Sequence, residues 1–172
     1  FISSALPTRL TELNEHVRFH EVEMMSYPLF EHQPYTLALA TKMATVAEEE
    51  NLDLLHVHYA IPHSISAILA RESLKPRRRL PVVTTLHGTD ITLIASDACF
   101  RPVVAFSIEQ SDAVTVVSAS LKADTLRTLS APPRSSTSCV SSGTVGIAAA
   151  LVSPLGHRWQ RTIERMFEFM AE

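Results

Sequence analysis

The sequence predicts an α/β domain in which a parallel sheet is flanked by helices. Three observations carry this reading. Short apolar runs recur at Leu52–Val57, Leu80–Leu86 and Ala113–Val117, the second of them rich in β-branched residues. Stretches with helical spacing of apolar residues lie between and after them. Strands alternating with helices in this way form parallel βαβ units, hence a doubly wound sheet.

Taken in order, Phe1–Ile2 reads as a strand end entering a loop at Ser3–Pro7. Val17–Met24 alternates apolar and polar residues at period two, a strand signature. Tyr27–Pro28 and Gln33–Pro34 mark a loop. Tyr35, Leu37, Leu39, Met43 and Val46 then fall near one side of a helix that ends in the acidic run Glu48–Glu50. After strand Leu52–Val57, Ile61–Glu72 reads as a helix with Pro62 in its first turn, where a missing N–H costs nothing. Strand Leu80–Leu86 follows, then Ser96–Gln110, which mixes loop and helix. Strand Ala113–Val117 leads to Ser118, placed to cap a helix through Leu121–Leu129. Beyond Pro133 the rhythm stops. Ser135–Ser142 is SSTSCVSS, and in His157–Met170 the residues Trp159, Ile163, Met166, Phe167 and Met170 share one face of an amphipathic helix.

Composition narrows the function classes. A chain of 172 residues suffices for one domain with a sizeable core, and 46% hydrophobic with 19% charged residues argues for a folded protein. A net charge of −3 gives no reason to expect nucleic acid. The basic run Lys75–Pro76–Arg77–Arg78–Arg79 reads as a solvated loop between helix and strand. Cys99 and Cys139 form neither a metal spacing nor a disulfide framework, so a cytoplasmic, reducing setting is expected. No apolar run approaches the roughly 20 residues that span a bilayer, so no membrane partner is expected.

Ligands of open α/β sheets bind beyond the carboxyl ends of the strands, and two segments sit there. In the first, His56–Val57–His58–Tyr59–Ala60–Ile61–Pro62–His63, the side chains of His56 and His58 share one strand face. Tyr59 and His63 lie in the following turn. Three histidines within eight residues raise the question of a metal, but the spacing changes from strand to turn and no carboxylate or cysteine completes a ligand set. No metal is expected, and a polar pocket accounts for the same residues. The second segment is Thr84–Thr85–Leu86–His87–Gly88–Thr89–Asp90–Ile91–Thr92, a buried strand running into a polar turn. Gly88 lets backbone approach a ligand, amides and Thr hydroxyls can donate to phosphate or sugar oxygens, His87 can hold a sugar hydroxyl, and Asp90 can fix the loop. An ordinary capped strand-to-helix turn would look much the same.

His16, His20 and His32 are scattered, and His20 reads as structural. Glu109 and Asp112 resemble a helix end entering a strand more than an acid/base pair. No serine sits in a G-x-S-x-G elbow, and neither G-x-G-x-x-G nor a P-loop occurs.

The segments FHEVEMMSYPLFEHQPYTLALATKM, LDLLHVHYAIPHSISAILARE, PVVTTLHGTDITLI and SIEQSDAVTVVSASLK resemble the malate-directed, bacillithiol-forming branch of the retaining GT-B glycosyltransferases of family 4. The resemblance covers nearly all of Phe1–Arg134. It implies the Rossmann-like N-terminal, acceptor-side domain of that fold over residues 1–134, with the first βα unit missing. It further implies transfer of N-acetylglucosamine from UDP-N-acetylglucosamine to the hydroxyl of L-malate with retention, without a protein nucleophile, an organic cofactor or an obligatory metal. By the same resemblance Tyr59 and Thr85 hold the acceptor and His87 reaches the transferred sugar. Gly88 and Thr89 shape the loop, His63 lines the site and Asp90 fixes the turn. A homo-oligomer is compatible with it.

The departures set further expectations. The family's opening Gly-rich loop and its second, donor-binding domain have no match, so the chain alone is expected to be inactive. Residues 135–172 are expected to be a non-matching tail with a helix near 157–170. A one-base shift of Ser135–Ser142 can encode a strand and linker of the kind the resemblance leads one to expect, so a frameshifted or otherwise unrelated tail is expected, the alternative being a native tail that packs through its Trp159–Met170 helix. Two other functional readings stay open. One is a non-catalytic binding or oligomerisation module of the same fold; the other is a family 4 enzyme acting on a different small acceptor.

Overall fold

The structure, a computed structural model, describes residues 1–6, 17–24, 28, 32–75, 77–129 and 150–152. The elements in chain order are β1 (Ile2–Ser3), β2 (His20–Glu21), α1 (Tyr35–Glu49), β3 (Leu55–His58), α2 (Ile65–Leu74), β4 (Val82–Leu86), α3 (Arg101–Gln110), β5 (Ala113–Val116), α4 (Ala119–Leu129) and β6 (Ala150–Val152). Strands β3, β4 and β5 are parallel neighbours, β6 adds antiparallel to β5, and β1 pairs with β2 in a separate parallel ribbon. The α/β class expected from the sequence is therefore observed, with helices following β3, β4 and β5.

Several boundaries differ from expectation for physical reasons. The alternating run Val17–Met24 contributes only His20–Glu21 to a ladder, because its partner β1 is two residues long. Hydrogen bonds from His20 N to Phe1 O and from Val22 N to Ser3 O exhaust that partner, and Val22 alone reaches the core. Strand β3 begins at Leu55 rather than Leu52, since Pro81 and the residues after it supply its pairing edge from there on. Leu37, expected on the same side of α1 as Leu39, Met43 and Val46, is 56% exposed; the packed face is Leu39, Ala40, Met43, Val46 and Ala47. Helix α2 starts at Ile65, because Ala60–Ser64 is a wide turn broken by an extended Ile61 before a cis Pro62. Ser118 does cap α4, its Oγ accepting the Leu121 N–H at 3.1 Å.

Two apolar clusters hold one face of the main sheet. Leu55, Val57 and Val82 pack with Leu39, Met43, Ala47, Ala67, Ala70 and Leu74 from α1 and α2. Leu86, Val114 and Val116 pack with Ile91, Val104 and Leu121. The basic run is only partly a solvated loop. Arg77 pairs with Glu48 on the surface, but Arg78 donates to the Ala47 and Leu52 carbonyls and to Asn51, closing the carboxyl end of α1. Asp112 accepts Val82 N–H at 2.9 Å and pairs with Arg71 and Arg79, pinning β4 to the start of β5.

The expected tail helix near 157–170, Cys139, His16 and Ser135–Ser142 lie outside the described residues. Cys99 is a free, exposed thiol. Among the described residues no helix is long and apolar enough to cross a membrane.

Candidate functional site

Strand register determines which side chains meet. His58, Thr85 and Thr115 are directly paired across β3, β4 and β5, and His56 lies one pleat earlier on the same face. The face opposite the two apolar clusters is thus polar at its carboxyl end. Thr85 Oγ1 lies 2.7 Å from His56 Nε2 and 2.6 Å from Thr115 Oγ1. His58 Nδ1 and His87 Nε2 are 2.7 Å apart, sharing one hydrogen.

The two turns close over this row. Tyr59 N–H donates to the Thr85 carbonyl at 2.9 Å, continuing the β3–β4 ladder one residue beyond the strand. The chain then reverses with Tyr59 at φ 73°, a conformation that costs a non-glycine residue of the order of 1–3 kcal/mol. Its ring lies 4.8 Å from that of His87, tilted by 33°, and 6.3 Å from that of His63. Gly88, at φ 117°, makes the corresponding reversal after β4, where a side chain would be strained.

Asp90 joins the two turns. It is 2% exposed, and its Oδ1 accepts Gly88 N–H at 2.9 Å and His87 N–H at 3.3 Å. Its Oδ2 accepts Ala60 N–H from the other turn at 3.3 Å. A buried carboxylate facing three converging amides holds both backbones in one arrangement. Tyr59, Thr85, His87, Gly88 and Asp90 are therefore brought together. Thr89 stands exposed at the lip of the turn, and His63 sits behind Tyr59 with its ring edge-on to Tyr35. The Nδ1 of His63 is buried with no hydrogen-bond partner among the described residues.

Burial disfavours the charged form of His56, His58 and His63. Burial first, then the neighbouring His58 and His87, lowers His56 to about 4. Burial first, then His87 and His63, lowers His58. Burial also lowers His63, partly opposed by a backbone hydrogen bond at His58. Neutral imidazoles suit metals, yet among the described residues no three His, Cys, Asp or Glu side chains are placed to share one. His58 and His87 spend a nitrogen each on one another, so neither nitrogen can face an ion.

Sequence reasoning missed two partners. Thr115 was read only as part of a strand, yet it supports Thr85. On the opposite face, Thr84 Oγ1 bonds Ser64 Oγ at 2.9 Å and Ser111 Oγ at 2.8 Å. Both depend on parallel register, which carries no local signal.

Polar, glycine-assisted turns at the carboxyl ends of adjacent parallel strands are where proteins of the doubly wound α/β class place small-molecule sites. The chain belongs to glycosyltransferase family 4: the model of that family, Glycosyltransferase Family 4, matches residues 3–137. It is similar to the N-acetyl-alpha-D-glucosaminyl L-malate synthase of Bacillus anthracis, with 54% identity over 121 residues, covering 70% of this chain and 31% of that protein. An uncharacterized glycosyltransferase of Methanocaldococcus jannaschii is 31% identical over 77 residues, covering 45% of this chain and 21% of its own. The chain thus spans about a third or less of the length of these relatives.

Proposed function

We propose that this chain carries the acceptor side of a retaining glycosyltransferase that moves N-acetylglucosamine from its UDP donor to the hydroxyl of L-malate. The observation that supports it is the grouping of Tyr59, Thr85 and His87 at one strand end, in a family 4 domain that is 54% identical to a protein named for that reaction. In this reading the Tyr59 hydroxyl and Thr85 hold malate. His87, whose Nε2 is occupied by His58, turns Nδ1 toward a hydroxyl of the transferred sugar. Gly88 and Thr89 leave room for the donor, and His63 backs the Tyr59 ring.

The reading needs no protein nucleophile: the donor phosphate takes the proton from the acceptor hydroxyl as the sugar moves. No resident metal is part of it. A cytoplasmic setting and small-molecule partners, without nucleic acid or membrane, belong to the same proposal.

Because the chain spans 31% of its synthase relative, acceptor binding reads this site more directly than turnover. Calorimetric titration of the 172-residue chain with L-malate is the test. Saturable binding that weakens in Tyr59→Phe and Thr85→Ala is expected. Binding of another small acid in preference to malate would move the proposal to a different acceptor, and absence of any such binding would sink it.

A further inference from the structure

We propose that Thr115, Thr85 and His56 form a one-way hydrogen-bond relay, Thr115 donating to Thr85 and Thr85 to His56, which leaves Thr85 presenting a lone pair to the ligand. Thr115 and His56 are then positioning residues. They fix what a neighbouring hydroxyl can recognise without touching the ligand themselves.

The direction follows from counting hydrogens. The two contacts are short, 2.6 Å between the threonine oxygens and 2.7 Å from Thr85 Oγ1 to His56 Nε2. Both hydroxyls are buried, Thr115 at 1% exposure and Thr85 at 6%. A buried donor left without an acceptor is costly, so each hydrogen needs a destination. Among the described residues, Thr85 is the hydrogen-bond partner of the Thr115 hydroxyl. If the relay ran from His56 through Thr85 to Thr115, the Thr115 hydrogen would have no acceptor there. If both neighbours donated to Thr85, its own hydrogen would have no acceptor among the described residues. The direction Thr115 to Thr85 to His56 is the one that gives every hydrogen an acceptor among the described residues.

That direction requires an unprotonated Nε2 on His56. The ring is neutral near pH 7, since burial and the histidines beside it hold its pKa at about 4. Its single proton therefore sits on Nδ1. Thr85 Oγ then accepts once and donates once, and one lone pair remains. A lone pair reads a ligand O–H and gains nothing from a carboxylate oxygen. Resting on the proposed acceptor site, this makes Thr85 the group that, before the donor binds and its phosphate takes that hydrogen, selects a hydroxy acid over the corresponding plain dicarboxylate.

The experiment is a long-range proton–nitrogen spectrum of the full chain, labelled with ¹⁵N at histidine, at pH 7. His56→Gln identifies the His56 signals by their loss. The expected result is a protonated Nδ1 and a bare Nε2. Thr85→Val should release Nε2 and shift the proton toward it, and Thr85→Ser should restore the original pattern. A His56 that carries its proton on Nε2, or on both nitrogens, in the unaltered chain overturns the relay.

Calorimetry with L-malate and succinate supplies the second reading. Malate is expected to bind roughly two- to tenfold more tightly, the worth of one neutral hydrogen bond. The gap should shrink in His56→Phe, which frees the Thr85 hydrogen. Equal affinities would overturn the substrate-reading role. If malate does not bind at all, the proposed function fails while the His56 spectrum still decides the relay. If malate binds but His56 is protonated on Nε2, the relay fails and the function stands.

Discussion

Replacing Asp90 by Asn tests whether one carboxylate holds both site turns. The side chain keeps its size and loses its charge and one acceptor oxygen. If the remaining oxygen stays on the Gly88 and His87 amides, the new NH₂ group faces the Ala60 N–H across about 3.3 Å, donor against donor. Two charge-assisted bonds become neutral and one N–H is orphaned. At about 1 kcal/mol for the weakening and 1–3 kcal/mol for the orphan, the loss is about 3 kcal/mol. For a chain of this size that corresponds to a midpoint roughly 6–12 °C lower. Thermal unfolding followed by circular dichroism measures the total, and amide hydrogen exchange measures the place. Exchange should accelerate at Ala60, His87 and Gly88 together, although Ala60 lies 30 residues from Asp90 in sequence. A midpoint within about 2 °C of the parent, with the Ala60 amide unchanged, would refute the clamp.

Acid should destabilise the fold in a defined window. A histidine held at about 4 when folded and about 6.5 when unfolded binds its proton only after unfolding, so stability falls as pH drops from about 6.5 to about 4 and levels off below. His56 alone contributes about 3 kcal/mol to that loss, and His58 and His63 act in the same direction. Urea titrations at pH 7.5 and pH 4.5 measure it, and equal stabilities would contradict the burial of these rings. Gly88→Ala should cost about 1–3 kcal/mol in the same titration, from backbone strain at φ 117° rather than from a clash, since nothing lies within 4 Å of the added carbon. Tyr59→Phe should weaken malate binding by roughly two- to tenfold without lowering the thermal midpoint, because it removes one hydroxyl and keeps the ring on His87. Exhaustive EDTA treatment should leave malate affinity unchanged; loss of binding restored by a divalent ion would reinstate a metal.

How far the sequence sufficed depended on the range of the interaction. Strands β4 and β5 were legible because their burial comes from continuous runs rich in β-branched residues, and β3 because it follows an apolar run, all local properties. Turns at Tyr59 and Gly88 were legible as polar breaks after such runs. Leu37 was misplaced because helical spacing marks a face only to within a residue or so, and α1 turns Ala40 and Ala47 inward instead. Thr115 and Ser111 were missed because their partners lie 30 and 27 residues away, joined only by register. The contraction of β2 was illegible for the same reason: its length is set by β1 and not by its own alternation.

The adjacent threonines of β4 show how one strand can serve packing and chemistry at once. Thr84 and Thr85 point to opposite faces, as successive strand residues must. Thr84 is fully buried and ties Ser64, ahead of α2, to Ser111, after α3, in a closed hydroxyl cluster. Ser111 in turn donates to the Ser107 carbonyl, so the cluster reaches into α3. Thr85 instead meets His56, Thr115 and, through its carbonyl, the strained Tyr59. The helix layer and the candidate site are thus fastened to the same two residues. A change at Thr84 that shifts the strand by a few tenths of an ångström must move the Thr85 carbonyl and with it Tyr59. Thr84→Val removes the central hydroxyl while keeping the shape, leaving Ser64 only its 3.4 Å contact with Ser111, which keeps its bond to the Ser107 carbonyl, and should cost about 1 kcal/mol. Thr84→Ser keeps the hydroxyl and removes only a methyl group. If strand position rather than overall stability governs the site, malate affinity should fall in Thr84→Val and recover in Thr84→Ser, at temperatures where both variants remain folded.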